Sequence, residues 1–259
     1  MSDAWIRAIV ALPFGLVLGS FMTVVAGRMP AGKSLIHPRS HCPICGAQIR
    51  NRDNVPVIGW ILLRGRCRDC GARISIRYPL LELSTGLLVA GAFFVIEDLW
   101  LALPVAGLLA LLPTVAAIDI EHHIIPNRLM YPALIALPLL LVLARILGAP
   151  VDLRGMAIGF VAYGGVLLLV ALVSGGMGMG DVKLAALIGS VLGALGLRYV
   201  AVAAGVAIVL GGIGGVVALL AGRGRKGAIP FGPYLAAGAA VAALWGEPIA
   251  DWYLRTLTG

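Results

Sequence analysis

Two aspartates interrupt an otherwise apolar sequence, and their side chains are the first candidates for chemistry. Asp119 lies in AAIDIEHHIIPNRL and Asp181 lies in GMGMGDVKLAA. An ionised carboxylate near a bilayer costs several kcal/mol by most estimates, so an acid in such surroundings is a functional candidate. Two carboxylates that share one proton can activate a water with one group and protonate a carbonyl oxygen with the other. The pair therefore fits peptide hydrolysis, which would need no nucleophilic side chain.

Each aspartate also has a simpler interpretation when it is taken alone. Asp119 could be an interfacial charge that ends a helix, and Asp181 could cap the helix that follows it. Gly178 and Gly180, however, remove side chains beside Asp181, so a substrate backbone could approach closely. These glycines favour a catalytic role, and so does the membrane topology, which predicts that both acids lie on the same side of the membrane.

The composition indicates a polytopic membrane protein that consists of helices. The 259 residues are 60% hydrophobic and only 12% charged, with a mean hydropathy of +1.00, against about 25% charged residues in soluble proteins. The first apolar run lacks a basic leading segment and a small-residue cleavage site, so we interpret it as a retained helix. Apolar runs long enough to span predict about eight transmembrane helices, over residues 5–27, 79–96, 99–118, 129–148, 155–175, 184–197, 199–221 and 229–246.

The net positive charge is concentrated in the loop after the first span. Residues 28–77 hold ten Lys/Arg and two Asp, which equals the net charge of +8 of the whole chain. The positive-inside rule then places this loop in the cytoplasm and both termini outside. The same rule places further basic residues on the inner side with this loop: Arg128, Lys183, Arg223, Arg225 and Lys226. Membrane topology explains the basic loop better than nucleic-acid binding does. Two crossings separate the aspartates, so both return to the cytoplasmic face.

All four cysteines lie in that loop and predict a structural metal site. They form two Cys-x-x-Cys knuckles, each followed by glycine and separated by 21 residues: Cys42, Cys45, Cys67 and Cys70. Four thiolates with such spacing complete a tetrahedral Zn²⁺ site. Disulfides do not suit a reducing cytoplasm, and a redox pair needs only one such motif. We interpret His37 and His41 as solvated, and the apolar segment between the knuckles as lying on the membrane surface.

Glu82, in RYPLLELSTG, is a further acid at the cytoplasmic start of a span. It is either a favourable charge at a helix start or part of a polar pocket.

The order of several segments resembles that of the prepilin peptidases, the leader peptidase/N-methyltransferases of type IV pili and type II secretion. The resemblance covers nearly the whole chain and rests on GSFMTVVAGRMP, the paired cysteine knuckles, ISIRYPLLEL, AAIDIEHHIIPNRL, GMGMGDVKLAALIG and IPFGPYLAAG. It implies that Asp119 and Asp181 are the catalytic pair of a GxGD aspartic peptidase, with Gly178, Gly180 and Lys183 as the supporting motif. Two positions depart from the family, which often has Asn at Thr23 and Asp at Asn127.

The resemblance also implies an activity and a location. A membrane aspartic endopeptidase of the bacterial inner membrane would remove the basic leader of type IV prepilins or pseudopilins after a glycine, on the cytoplasmic side. It would then methylate the new N-terminus with S-adenosylmethionine, for which no glycine-rich dinucleotide fingerprint is visible. Glu82 is our first candidate for that second step, because a carboxylate there could orient or deprotonate the new α-amino group.

The expected organisation has three parts: a first transmembrane helix over 1–27, a zinc-binding cytoplasmic loop associated with methyl transfer over 28–78, and a helical peptidase core over 79–259. Two other classes of protein compete with this interpretation. In a transporter the two acids would relay protons or bind cations, and in an assembly scaffold the zinc loop would be a docking module.

Overall fold

The computed structural model describes residues 3–221 and 230–258. Within these residues the chain forms nine α-helices and no β-strand, which confirms the helical class. The helices are α1 (Asp3–Arg28), α2 (Ile58–Leu62), α3 (Arg77–Val95), α4 (Leu99–His122), α5 (Asn127–Ile146), α6 (Leu153–Ser174), α7 (Met179–Gly193), α8 (Leu197–Leu220) and α9 (Gly232–Thr258). The basic residues assigned above to the inner loop after α8 lie outside the described residues: Arg223, Arg225 and Lys226.

Six of these helices are long and apolar enough to cross a membrane, namely α1, α3, α4, α5, α6 and α8. The protein is therefore a multi-pass membrane protein, although the count of eight spans is not confirmed. The predicted span over 184–197 corresponds to α7, whose 15 residues extend roughly 22 Å at 1.5 Å per residue. That is less than the ~30 Å hydrocarbon layer of a typical bilayer. The predicted span over 229–246 falls on α9, whose backbone leaves helical geometry at Trp245.

Helix α4 is the centre of the bundle, and α1, α3, α5 and α9 pack around it. In the most apolar 18-residue stretch of α4, 72% of the residues are buried inside the protein, whereas the corresponding share in α8 is 17%. The leucines at 108, 109 and 112 are fully buried, as is Ile118, which directly precedes Asp119. The predicted active-site acid therefore lies on a rigid, buried element.

Helices α6 and α7 make the closest backbone approach in the bundle, through two glycine pairs. Gly155 and Gly159 of α6 oppose Gly193 and Gly189 of α7. A β-carbon on any of the four would strike a backbone carbonyl oxygen of the opposite helix. Small residues spaced four apart allow this kind of contact between membrane helices. It fixes α7, and with it Asp181, against α6.

The segment between α1 and α3 folds into two similar cysteine knuckles. In each, the N–H of the first cysteine donates to the carbonyl five residues on, at 2.9 Å for Cys42 and 2.8 Å for Cys67. The glycine after the second cysteine takes a left-handed backbone, with φ of 72° at Gly46 and 70° at Gly71. Glycine adopts that conformation without steric cost. We call residues 29–76, which contain both knuckles, the cysteine insertion.

Helix α2 joins the knuckles and presents apolar side chains to the surroundings. Trp60 donates from its indole nitrogen to the carbonyl of Ile74 at 3.1 Å, which holds α2 against the second knuckle. Ile58, Ile61 and Leu62 are exposed. An exposed apolar face on a short surface helix is what a segment lying on a membrane requires.

Candidate active site

Asp119 lies in the last turn of α4 and is held from the start of α9. Its side chain is buried, and its Oδ2 accepts a hydrogen bond from the backbone N–H of Gly232 at 2.9 Å. A β-carbon on Gly232 would lie only 2.7 Å from the same oxygen. Position 232 therefore needs glycine for its lack of a side chain, because the carboxylate occupies that space.

Asp181 lies in the first turn of α7, where it interacts with Asp119. The two carboxylates are close enough for their charges to act on each other. Gly178 is the N-cap residue of α7, and its carbonyl accepts a hydrogen bond from the Asp181 N–H at 3.1 Å. The Oδ1 atom of Asp181 is buried and finds no hydrogen-bond partner within the described residues. A buried polar atom without a partner is costly and suggests that a substrate or water completes the site.

The two motif glycines beside Asp181 have different reasons to be glycine. A β-carbon on Gly180 would lie 2.8 Å from the β-carbon of Ile125, in the segment between α4 and α5. A β-carbon on Gly178 would make only ordinary contacts, with the Asp181 carboxylate at 3.5 Å and the backbone nitrogen of Gly180 at 3.9 Å. Gly180 is thus required by packing, whereas Gly178 leaves open space next to the acid.

Lys183 fastens the start of α7 to the start of α5. Its ammonium group donates to Oδ1 of Asn127 at 2.6 Å and to the hydroxyl of Tyr131 at 3.1 Å. It also lies 4.6 Å from the centre of the Tyr131 ring, within the range of a cation–π contact. Asn127 therefore serves Lys183 as a neutral acceptor.

Other polar contacts gather at the same end of the bundle. Arg77 at the start of α3 forms an ion pair with Glu121 at the end of α4. His123 ends α4 in a left-handed conformation, with its N–H donating to the carbonyl of Asp119 at 2.9 Å. The end of α4 and the starts of α3, α5, α7 and α9 therefore meet around the two aspartates. We call this region the catalytic end.

The four cysteines come together as a candidate metal centre. Their sulfur atoms all lie within 4.8 Å of one another, the arrangement that one tetrahedral ion requires. Backbone amides of Cys45 and Ile44 hold the pKa of the Cys42 thiol at about 6, which favours the thiolate that binds metal. Neither His37 nor His41 belongs to the cluster. Both side chains are exposed.

Glu82 connects the cysteine insertion to the bundle. It is buried in α3, and its Oε2 accepts a hydrogen bond from the backbone N–H of Val57 at 2.7 Å. The backbone of α3 at Glu82 packs closely on Gly19 of α1, where a β-carbon would lie 2.8 Å from the backbone of Glu82. The contact with Val57 gives Glu82 a structural task.

Several of these partners were not predicted from the sequence. Gly232 stands in the segment IPFGPYLAAG, which we quoted for the resemblance, yet nothing local indicates that its amide reaches Asp119, 113 positions earlier. Tyr131 and Arg77 also lack a local signal, because their partners belong to other helices.

The fold and the site define a polytopic helical membrane protein with a carboxylate pair at one end and a four-cysteine insertion at that same end. Two family models match the chain. The bacterial peptidase A24 N-terminal domain matches residues 13–96, and the type IV leader peptidase family matches residues 106–216. The chain belongs to the type IV leader peptidase family.

Curated relatives extend the similarity over almost the whole chain. One from Bacillus subtilis is 36% identical, covering 95% of this chain and 97% of the relative. One from Stutzerimonas stutzeri is 35% identical and covers 95% and 93%, and one from Burkholderia pseudomallei is 38% identical and covers 92% and 85%. Each is named a prepilin leader peptidase/N-methyltransferase. No solved structure matches the chain.

Proposed function

We propose that this protein is a prepilin peptidase that also methylates the N-terminus it creates. Its substrates are type IV prepilins or type II secretion pseudopilins, from which it removes a basic leader after a glycine. The observation that carries the proposal is the meeting of Asp119 and Asp181 at the catalytic end, where Asp119 is buried and Asp181 is half-buried. Membership of the leader peptidase family and the names of the relatives support it.

In the proposed reaction the two carboxylates share one proton and act together on a water. The ionised carboxylate takes a proton from the water, and the oxygen of that water attacks the carbonyl carbon of the scissile bond. The protonated carboxyl gives its proton to the carbonyl oxygen. The C–N bond of the tetrahedral intermediate then breaks: the carboxyl that took the proton of the water gives it to the leaving nitrogen, and a hydroxyl of the intermediate gives its proton to the other carboxylate, which restores the single shared proton. Gly232 holds Asp119 in position, and the open space beside Gly178 admits the substrate backbone.

The proposed orientation places the catalytic end at the cytoplasmic surface of the bacterial inner membrane, with both termini outside. The cysteine insertion lies at the catalytic end, joined to it through Glu82 of α3, and its excess of Lys/Arg supports a cytoplasmic position. The apolar helix of the substrate could then enter between membrane helices while its basic leader stays in the cytoplasm. The scissile bond would lie at the depth of the two aspartates.

The division of labour that we propose has a first helix over 1–27, a loop with structural zinc over 28–78 and a peptidase core over 79–259. Four clustered thiols suit Zn²⁺ in a closed structural site. S-adenosylmethionine, when bound, supplies the methyl group. Residues around the cysteine insertion would hold the new amino terminus and remove its proton, and Glu82 remains the first candidate for that role.

A transporter remains the rival class, but its acids are expected near the midplane of the membrane. Here both acids lie at the end of helices, beside loop residues. The decisive experiment is incubation of the detergent-solubilised protein with a prepilin and mass spectrometry of the product. We expect Asp119→Asn and Asp181→Asn each to abolish cleavage, a loss of several powers of ten, while both variants insert normally. Glu121→Gln, which alters only the partly exposed ion pairs to Arg77 and His122, should cleave normally. Cleavage by either aspartate variant at the wild-type rate would disprove the proposal.

The same spectrum tests the role of Glu82. If Glu82 acts in methyl transfer, Glu82→Gln should yield cleaved but unmethylated pilin. If it only accepts the hydrogen bond from Val57, both reactions should continue, with a stability loss of roughly 0.5–1.5 kcal/mol. Fully methylated product at the wild-type rate would remove Glu82 from the methyl-transfer site.

A further inference from the structure

A cavity of about 230 Å³ lies between the end of α1 and the first cysteine knuckle. Its polar lining comes from Arg28, Arg39, Gln48, Asn51 and Asn54. Its apolar lining includes Val24, Leu35 and Ile49. None of the residues around it belongs to the aspartate pair or to the four cysteines. The cavity is therefore separate from both sites described above.

The charge in this cavity is positive and is not compensated by carboxylates. No acidic side chain is among the lining residues. The insertion has two acids, and arginines outside the cavity hold both of them. Asp53 accepts two hydrogen bonds from Arg68, at 2.8 and 2.6 Å, and these bonds hold the pKa of Asp53 below its ordinary value. Asp69 pairs with Arg50 at 2.9 Å.

The two arginines of the cavity keep most of their donor capacity. Arg28 gives one hydrogen bond, at 3.1 Å, to the neutral carbonyl oxygen of Ser34. For the guanidinium of Arg39 the described part of the chain provides no ion-pair partner. Each guanidinium carries five N–H donors in a planar fork that matches the oxygens of a phosphate or carboxylate. The amide side chains of Gln48, Asn51 and Asn54 add neutral donors.

We propose that this cavity binds the phosphate headgroup of an anionic phospholipid. The cavity lies where α1, a helix long enough to span, leaves the apolar layer, and Val24 belongs to its last turns. Arginine donors face the phosphate, while Leu35 and Ile49 give apolar surface to the glycerol end of the lipid. Basic pockets at the cytoplasmic end of membrane helices suit such headgroups.

The methyl donor of the proposed second reaction fits this cavity less well. S-adenosylmethionine carries a sulfonium and an ammonium group against one carboxylate, so its net charge is positive. Two arginines without an acid would repel that charge. The lipid interpretation does not depend on the catalytic proposal, and a failure of one leaves the other standing.

The bound lipid would fasten the cysteine insertion to the membrane beside α1. Arg28 belongs to α1, whereas Arg39 and Asn51 belong to the insertion. A phosphate held between them therefore bridges a membrane helix and the loop domain, as Glu82 does from α3.

The test measures lipid binding to the purified full-length protein by native mass spectrometry. Phosphatidylglycerol, phosphatidylcholine and inorganic phosphate are the probes, with S-adenosylmethionine as competitor. The test variant is the double substitution Arg28→Gln/Arg39→Gln. Its control is Arg66→Gln/Arg73→Gln, which removes the same charge from exposed positions of the second knuckle, outside the cavity.

We expect phosphatidylglycerol to bind in preference to phosphatidylcholine, and the test variant to weaken that binding about tenfold or more, since each charge-assisted contact to phosphate is strong. The control should change it only about twofold, as expected for screened surface charge. Equal losses in the two variants would show diffuse attraction and overturn the proposal. So would binding of free phosphate as tight as that of the lipid, or displacement of the lipid by S-adenosylmethionine. If Arg28→Gln disturbs folding, the single variant Arg39→Gln, at an exposed position, takes the place of the double variant in the same binding measurement.

Discussion

Replacement of Gly232 by alanine should slow prepilin cleavage by placing a methyl group against the Asp119 carboxylate. The new β-carbon would lie 2.7 Å from Oδ2 of Asp119, whereas carbon and oxygen in contact lie roughly 3.3–3.6 Å apart. Either the carboxylate or the start of α9 must therefore move by about 0.6–0.9 Å. The hydrogen bond from the Gly232 amide, now 2.9 Å, would stretch with it.

The size of the effect follows from that displacement. A hydrogen bond to a charged group contributes about 1.5–3 kcal/mol, and a misplacement on the order of 1 Å can cost roughly 10²-fold in rate. We expect kcat for leader removal to fall about 10- to 100-fold, with a smaller change in KM because Gly232 does not lie in the open space beside Gly178. The assay is the initial rate of prepilin cleavage in detergent, at several substrate concentrations.

The matched control is Gly215→Ala in α8, where an added β-carbon meets nothing within 4 Å. It should insert, purify and cleave like the wild type, and alanine can even stabilise the helix, by up to about 1 kcal/mol. If Gly232→Ala cleaves at the wild-type rate while the protein is intact, the carboxylate does not need the position that the structure gives it, and our account of the site fails.

Three further predictions follow from the contacts of the catalytic end and the insertion. Gly180→Ala should lower both the thermal midpoint and the cleavage rate, because its β-carbon would lie 2.8 Å from the side chain of Ile125. Gly178→Ala should keep the thermal midpoint and raise KM. A lower thermal midpoint for Gly178→Ala than for Gly180→Ala would contradict the packing argument. Lys183→Met should lower stability by about 1–2 kcal/mol, from the loss of two hydrogen bonds, and cleavage by several-fold; an unchanged melting curve would show that the contacts at 2.6 and 3.1 Å contribute nothing. Purified protein should contain about one Zn per chain, and a Cys42→Ser/Cys45→Ser variant should lose it; wild-type protein with neither zinc nor iron by elemental analysis would refute the metal assignment.

Much of the helical architecture could be predicted from the sequence because long apolar runs leave few other structures in a membrane. The ends of the helices were less accurate, for a physical reason. The third predicted span stops at residue 118, yet α4 continues to His122, so Asp119 belongs to the helix and does not follow it. The last predicted span stops at residue 246, beside the break in helical geometry at Trp245, and a second helical stretch then continues to Thr258. Hydropathy detects the buried apolar stretch and not the polar turns that continue it.

The extension of α9 illustrates what hydropathy cannot detect. Glu247 pairs with Arg198 at 2.6 Å, and Asp251 lies 3.7 Å from the same arginine. Arg198 lies at the start of α8. The two acids therefore stabilise the end of α9 through a neighbouring helix that the sequence does not place beside it. The Gly232 amide at Asp119 and the Glu82 carboxylate at Val57 escape prediction in the same way, because each contact joins distant parts of the chain. The cysteine cluster was predictable, since its four ligands recur at fixed local spacing.

The arrangement of contacts also explains why loss of metal should impair methyl transfer more than proteolysis. The insertion is held by α3 through the Glu82 contact, and α3 packs closely on α1 at Gly19. The aspartates are held by α4, α7 and α9. Helices α1 and α3 pack directly on α4, and that packing joins membrane helices to one another without passing through the insertion. The helices that carry the carboxylates therefore stay packed when the insertion unfolds. A metal-free variant should therefore still cleave its substrate.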